Sequence, residues 1–300
     1  MAHVYQRRQK EYITEVPGLL DYYSYVFHFP GLLGGPAIYY REYMDVIGGK
    51  RYGAALPRRR LLPCLAKGVC GLLGFALYLA TTLLVTIDDL LDDSFAQRSL
   101  VTRLLYLYLA MLGYRGRYFG VWKIGESICI LDGFGETERG TWDGISNVDI
   151  PHFELATNYA TTIKMWNIRI QKWLQMCIYE RTHFSHFCTF TISAFWHGFY
   201  PSYYCGFGIA LLMTYVNRLA TRKLWPRVQN TWMEKPYLFC GTIMCSLTNT
   251  FMLSAFSCYS LSRSIRMWKQ VDFLHPLVLL LGFIVLLLAP NPVLGSKKID

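Results

Sequence analysis

The chain has 300 residues, 53% hydrophobic and only 17% charged, a balance too apolar for an ordinary soluble domain and suited to a helical membrane protein. Its net charge of +10 does not describe a nucleic-acid groove, because the basic residues stand in short clusters between apolar runs, as at Arg58-Arg59-Arg60. Nine cysteines include no C-x-x-C pair and lie mostly in apolar runs, so they read as small buried hydrophobes rather than a metal set or a disulfide framework.

The opening residues, Met1 to Lys10, lack an apolar stretch for secretion, so insertion must rest on internal spans. Tyr22 to Tyr40 is uncharged but punctuated by Pro30, Gly31, Gly34, Gly35 and Pro36, which predicts a broken or re-entrant segment covered by other helices. Arg41 to Lys67 carries seven basic side chains against two acids and reads as a cytosolic loop. Gly68 to Ile87 is then a 20-residue span, ending at Asp88-Asp89-x-x-Asp92-Asp93. Carboxylates at that spacing can share a hard cation, and they resemble the aspartate-rich motif of prenyl transferases. No second such motif follows, so an acidic lumenal loop capping the span is the better reading.

Two further apolar runs cover Leu100 to Gly113 and Tyr118 to Phe134, the second facing protein rather than lipid because it holds Lys123 and Glu126. Gly135 to Thr162, with Trp142-Asp143 inside it, reads as a membrane-surface or buried-loop segment. Trp166 to Tyr179 predicts an amphipathic helix with Trp166, Trp173 and Cys177 on one face and Arg169 and Lys172 on the other.

Thr182 to Asn217 runs 36 residues without Asp, Glu, Lys or Arg. At about 1.5 Å per residue this exceeds one crossing, so two helices broken near Gly198 and Pro201 are expected, with His197 deep in apolar surroundings. Pro236 to Ser262 and Phe273 to Ser296 are uncharged for 27 and 24 residues, each enough for a span. The basic residues of Arg218 to Lys235 and of the carboxy-terminus outnumber those of Arg263 to Lys269, which places the two outer segments in the cytosol and the middle loop in the lumen. Lys297-Lys298-Ile299-Asp300 resembles a dilysine retrieval signal of the endoplasmic reticulum. The whole reads as one all-α, polytopic membrane domain over 1–300, with about seven to nine helices.

Four groups could carry chemistry. His197 and Asn167 each follow a tryptophan. A neutral imidazole can take a proton from a hydroxyl, and an amide can hold a developing oxyanion without adding a charge that is costly to bury. By residue type alone, His197 is an even choice between catalysis and a helix–helix hydrogen bond. His183, His186 and Cys188 have zinc-compatible spacing, but the start of a membrane helix is an ordinary place for them. Cys205 could accept an acyl group, yet its apolar setting favours a buried hydrophobe. The acidic cluster at Asp88 to Asp93 is the fourth.

Trp196-His197-Gly198-x-x-Pro201-Ser202-Tyr203 resembles the W-H-G-x-x-P-G-Y pattern of the membrane-bound O-acyltransferases, in their lysophospholipid acyltransferase branch. Further stretches similar to that branch follow its order: Pro17-Gly18-Leu19-Leu20, Glu126-Ser127-Ile128-Cys129, Trp142-Asp143-Gly144, and Trp166-Asn167-Ile168 with Trp173-Leu174. The resemblance implies a helical bundle enclosing a catalytic tunnel in the endoplasmic-reticulum membrane, with a cytosolic carboxy-terminus. Acyl-coenzyme A would enter from the cytosol as co-substrate, with no bound cofactor and no metal. A lysophospholipid would enter from the bilayer or lumenal side, lysophosphatidylcholine foremost and lysophosphatidylinositol or another head group as the alternative. A catalytically silent remnant that binds lipid or partner helices is a further alternative. The resemblance makes His197 and Asn167 catalytic, and Trp142, Asp143, Trp166, Trp196, Tyr203 and Glu126 substrate-binding. Ser202 departs from the glycine usual in the pattern, and the loop between Trp173 and Ser193 is short. Members of the branch begin with more membrane helices than precede Pro17, so the chain is expected to be incomplete at its amino-terminus.

Overall fold

The computed structural model describes residue 13 and residues 16–32, 34–52 and 55–291. The opening Met1 to Lys10 and the lysines Lys297 and Lys298 lie outside them. Among the described residues the chain is helical with no strand. The labelled helices are α1 (Leu19–Val26), α2 (Tyr40–Ile47), α3 (Leu61–Leu84), α4 (Leu100–Leu131), α5 (Ile150–Glu154), α6 (Tyr159–Met165), α7 (Ile168–Leu174), α8 (His186–His197), α9 (Pro201–Lys223), α10 (Glu234–Cys258), α11 (Leu261–Lys269) and α12 (Leu274–Leu288). They fall into two compact units. One holds the described residues up to Tyr78 with Arg115–Asp149 and Trp166–Lys172; the other holds Leu79–Tyr114, Ile150–Met165 and the described residues from Trp173 onward.

In the first unit, the segment from Tyr22 to Tyr40 is broken as its prolines and glycines require: α1 stops at Val26, a single turn covers Phe29–Leu32, and helix resumes at Tyr40. The core gathers Ile38, Tyr43, Cys129, Ile130, Phe134, Trp142 and Ile145, so the stretch after Gly135 is a loop with a buried apolar side. Helix α3 begins earlier than the apolar run suggested, with Pro63 tolerated in its first turn. Lys67 can lie inside this helix because its ammonium reaches Glu126 (3.1 Å), Asp143 (3.1 Å) and Ser146 (2.8 Å).

Helix α4 corrects the sequence reading. The two runs ending at Gly113 and starting at Tyr118 are one helix of 32 residues, about 48 Å long at 1.5 Å per residue. Gly116 and Gly120 act as spacers rather than breakers. A Cβ at Gly74 of α3 would stand 2.7 Å from the Gly120 nitrogen and 2.9 Å from the Gly116 oxygen, so the two backbones touch where side chains are missing. Small residues four apart are a common means of close helix approach in membranes.

The second unit packs α9, α10 and α11 around a core that includes Leu107, Met111, Ile209, Met213, Phe251, Met267, Trp268 and Leu279. The uncharged tract divides as expected: α8 ends at His197, α9 starts with Pro201, and Gly198 between them has φ 139°. Among the described residues, Arg58–Leu84 and Glu234–Cys258 are each long and apolar enough to cross a membrane. Within the last apolar run, α12 is one helix of 15 residues, and it meets the preceding α11 at 84°. Asp272 and Phe273 take left-handed conformations at that corner, which ends one helix and restarts the other.

Candidate functional site

Asn167 is half-buried in the first unit, with φ 47°, a left-handed conformation that asparagine accepts more readily than most residues. Its carbonyl oxygen accepts the Gln171 N–H at 2.8 Å and so opens α7. The next amide, Ile168 N–H, leaves the helix and donates to the Asn147 carbonyl at 2.7 Å. Asn147 N–H in turn donates to Glu126 Oε1 at 2.7 Å. Glu126 is fully buried and takes Lys123 Nζ at 3.0 and 2.7 Å besides Lys67 at 3.1 Å. Arg169 donates to the Ala37 carbonyl (2.7 Å), to the Gly144 carbonyl (3.2 Å) and to the Glu42 carboxylate.

Arg169 therefore is not on a solvated helix face. The amphipathic reading counted a helix from Trp166, whereas Trp166 and Asn167 precede α7 and the turn at Asn167 resets the phase. Trp166 instead sets its ring against Trp122 at 4.7 Å, with Tyr118 and Phe119 at 5.9 Å each. Trp142 lies in the core, stacked on Tyr52 at 6.3 Å, while Asp143 is exposed and held by Lys67.

His197 is the last residue of α8, in the second unit. The Ser185 hydroxyl caps the start of that helix by accepting the Cys188 N–H at 3.1 Å. At the other end, Gly198 takes a conformation that a side chain would strain, and its N–H returns to the carbonyls of Ala194 and Phe195. The His197 ring meets Trp196 (4.8 Å), Phe207 (5.3 Å), Phe256 (5.4 Å) and Tyr203 (6.5 Å). Tyr203 is buried and stacks on Phe256 at 4.3 Å; Trp196 is 59% exposed. His197 ends α8, where the chain turns away at Gly198. Its ring neighbours are aromatic, and among the described residues no hydrogen bond engages its ring nitrogens.

The expected residues thus form two sets: Glu126, Trp142, Asp143, Trp166 and Asn167 in one unit, and Trp196, His197 and Tyr203 in the other. Sequence reasoning missed Lys67 and Arg169 as parts of the Asn167 frame. The available signal was the pairing of Lys123 with Glu126 three residues apart inside an apolar run.

The other candidates have ordinary structural partners. Asp88 pairs with Arg263 at 2.7 Å and Asp93 with Arg266 at 2.9 Å. Asp89 accepts the Thr86 hydroxyl (2.7 Å) and N–H (2.8 Å), which hold its carboxyl below the usual carboxylate range. His186 sets its ring on Tyr179 at 4.8 Å.

A sequence model of the membrane-bound O-acyltransferase family matches residues 2–262, and these include both tryptophan-led pairs. The chain belongs to this family. It is a membrane protein, and the all-α architecture with spanning helices agrees with that. It is 28% identical over 299 residues to the lysophospholipid acyltransferase of Schizosaccharomyces pombe, covering 91% of this chain and 59% of that protein. To the human membrane-bound glycerophospholipid O-acyltransferase 2 it is 32% identical over 309 residues, covering 93% and 57%. To lysophospholipid acyltransferase 6 of Drosophila melanogaster it is 28% identical over 268 residues, covering 82% and 37%. The chain therefore spans less than two thirds of the length of these relatives.

Proposed function

We propose that the protein transfers a fatty acyl chain from acyl-coenzyme A to the free hydroxyl of a lysophospholipid, with lysophosphatidylcholine as the leading acceptor, in phospholipid remodelling at the endoplasmic reticulum. The relatives' names support the acceptor class, and the basic loops support a cytosolic carboxy-terminus. The observation that carries the chemistry is His197 at the open end of α8, collared by rings, with no protein group competing for its ring nitrogens among the described residues.

His197 accepts the proton of the glycerol hydroxyl as that oxygen attacks the thioester carbonyl carbon. The C–O bond forms, the tetrahedral oxyanion collapses, the C–S bond breaks, and the imidazolium returns its proton to the leaving thiolate. No acyl-enzyme is needed, which leaves Cys205 a packing residue. Asn167 orients the reactants or donates its amide to the oxyanion. Trp166, Trp196, Tyr203, Trp142, Asp143 and Glu126 shape or brace the substrate path.

The test is acyl transfer by microsomes carrying this chain, across a panel of acyl-coenzyme A donors and lysophospholipids, beside His197→Ala protein inserted to the same level. Transfer to lysophosphatidylcholine that the substitution abolishes is the expected result. Preference for lysophosphatidylinositol would reassign the acceptor. Inserted, stable protein that acylates no acceptor with any donor would overturn the proposal.

A further inference from the structure

Glu126 is fully buried, and its hydrogen bonds lead to Asn167. We infer that Glu126 is a positioning residue: its carboxylate, through two backbone hydrogen bonds, fixes the conformation in which Asn167 presents its side chain. This rests on the reading that Asn167 serves acyl transfer. The path is short and continuous. Lys123 and Lys67 hold the carboxylate from two helices, Oε1 accepts Asn147 N–H at 2.7 Å, and the carbonyl of that same Asn147 accepts Ile168 N–H at 2.7 Å. Ile168 follows Asn167 directly, so its amide direction and the φ of 47° at Asn167 are set together.

Two physical points favour positioning over a purely structural ion pair. Lys123 and Lys67 already neutralise Glu126, yet Oε1 also accepts a loop amide at 2.7 Å, as close as the carboxylate's nearest ammonium contact. A carboxylate bound to that N–H is a stronger anchor than a neutral acceptor would be. In addition, a left-handed asparagine is held at a cost in backbone energy, and such conformations persist only where the surroundings over-determine them. Arg169 supplies a second restraint from the other side of Asn167, bonded to the Ala37 and Gly144 carbonyls.

The experiment uses the full chain in nanodiscs, with Glu126→Asp, Asn167→Ala and the double variant. Glu126→Asp keeps the charge for the lysines but withdraws the acceptor from Asn147 by one methylene. Amide hydrogen exchange in peptides covering 147–148 and 166–172 is expected to quicken about tenfold, with peptides of α9 unchanged. The kcat for acyl transfer should fall roughly 10- to 100-fold at unchanged KM, and this loss should vanish in the Asn167→Ala background, since the two residues act in series. Unchanged exchange at 166–172, or a full additional loss on top of Asn167→Ala, overturns the inference. If Asn167→Ala leaves transfer intact, the role given to Asn167 fails instead, and the exchange data still decide whether Glu126 holds it. Should Glu126→Asp not accumulate as folded protein, Lys67→Gln removes one of the carboxylate's two cations and carries the same exchange readout, where no change would again overturn the inference.

Discussion

Around Asn167 the chain is tied by hydrogen bonds between backbone and buried ions, whereas around His197 it is held by aromatic rings and a glycine turn. The two materials suit two tasks. An amide that must point in one direction needs its backbone restrained from several sides, and Glu126, Asn147 and Arg169 do this. A base must keep a lone pair available, and aromatic rings hold it in place without donating to that lone pair. The polar frame fails by losing direction; the ring collar fails by losing the base itself. Substitutions in the two regions should therefore fail differently.

The largest effect expected is at His197. Substitution by alanine removes the proton acceptor and should lower acyl transfer about 10²- to 10⁴-fold, the usual contribution of a general base. Thermal stability should change little beyond the loss of ring contacts with Phe207 and Phe256, because His197 is the last residue of α8. A stability loss in step with the activity loss would make His197 a packing residue and break the comparison.

Arg169→Ala comes next and should show the reverse pattern. It strands Glu42 and two carbonyls that the guanidinium now satisfies, so a destabilisation of about 3 kcal/mol is expected. Arg169→Lys should recover only part of it, since an ammonium lacks the fork that meets three acceptors at once. Thermal denaturation followed by loss of monodisperse protein in detergent measures both. A stability unchanged within about 0.5 kcal/mol would show that the frame of Asn167 does not depend on Arg169.

These contrasts also explain what could be read in the sequence. The break at His197 was legible because an uncharged tract too long for one crossing contained Gly198 and Pro201, both local signals. The polar frame was mostly illegible because its partners are far apart in the chain: Arg169 meets Glu42, 127 residues earlier, and Lys67 meets Asp143, 76 residues later. Periodicity also fails where a single residue resets it, as Asn167 does at the start of α7. The role of Gly116 and Gly120 was hidden for a related reason. Glycine breaks an isolated helix, but against Gly74 of a neighbouring helix it is a spacer, and only the partner tells the two apart.

That partnership gives the third prediction. Gly74→Ala would put a Cβ within 2.9 Å of backbone atoms at both Gly116 and Gly120, which cannot swing aside as a side chain tip can. A cost of about 1–3 kcal/mol is expected. Because Lys67 lies on α3 and Glu126 on α4, spreading the two helices should also quicken amide exchange near Asn167 and leave α8 and α9 unaffected. Equal loosening of both regions would mean that the glycine contact is a general support rather than part of the Asn167 frame.

The smallest effect concerns pH and the acidic loop of the second unit. Hydrogen bonds from the Thr86 hydroxyl and N–H lower the Asp89 carboxyl, and those from Ser94 lower Asp92. A carboxyl depressed in the folded state stabilises it above the unfolded value of 3.8, and that stabilisation is lost as pH falls through the lowered folded value. Both groups are almost fully exposed, so solvent screens the gain. Asp89→Asn keeps an acceptor for Thr86 but loses the charge, and at pH 7 it should lower the melting temperature by about 1–2 °C. On acidification below about pH 4 the variant and the wild type should converge, while the difference stays constant from pH 5 to 8. A gap that opened between pH 5 and 7 instead would implicate a histidine. The second unit would then contain a titrating group coupled to its stability, which rings around His197 alone do not supply.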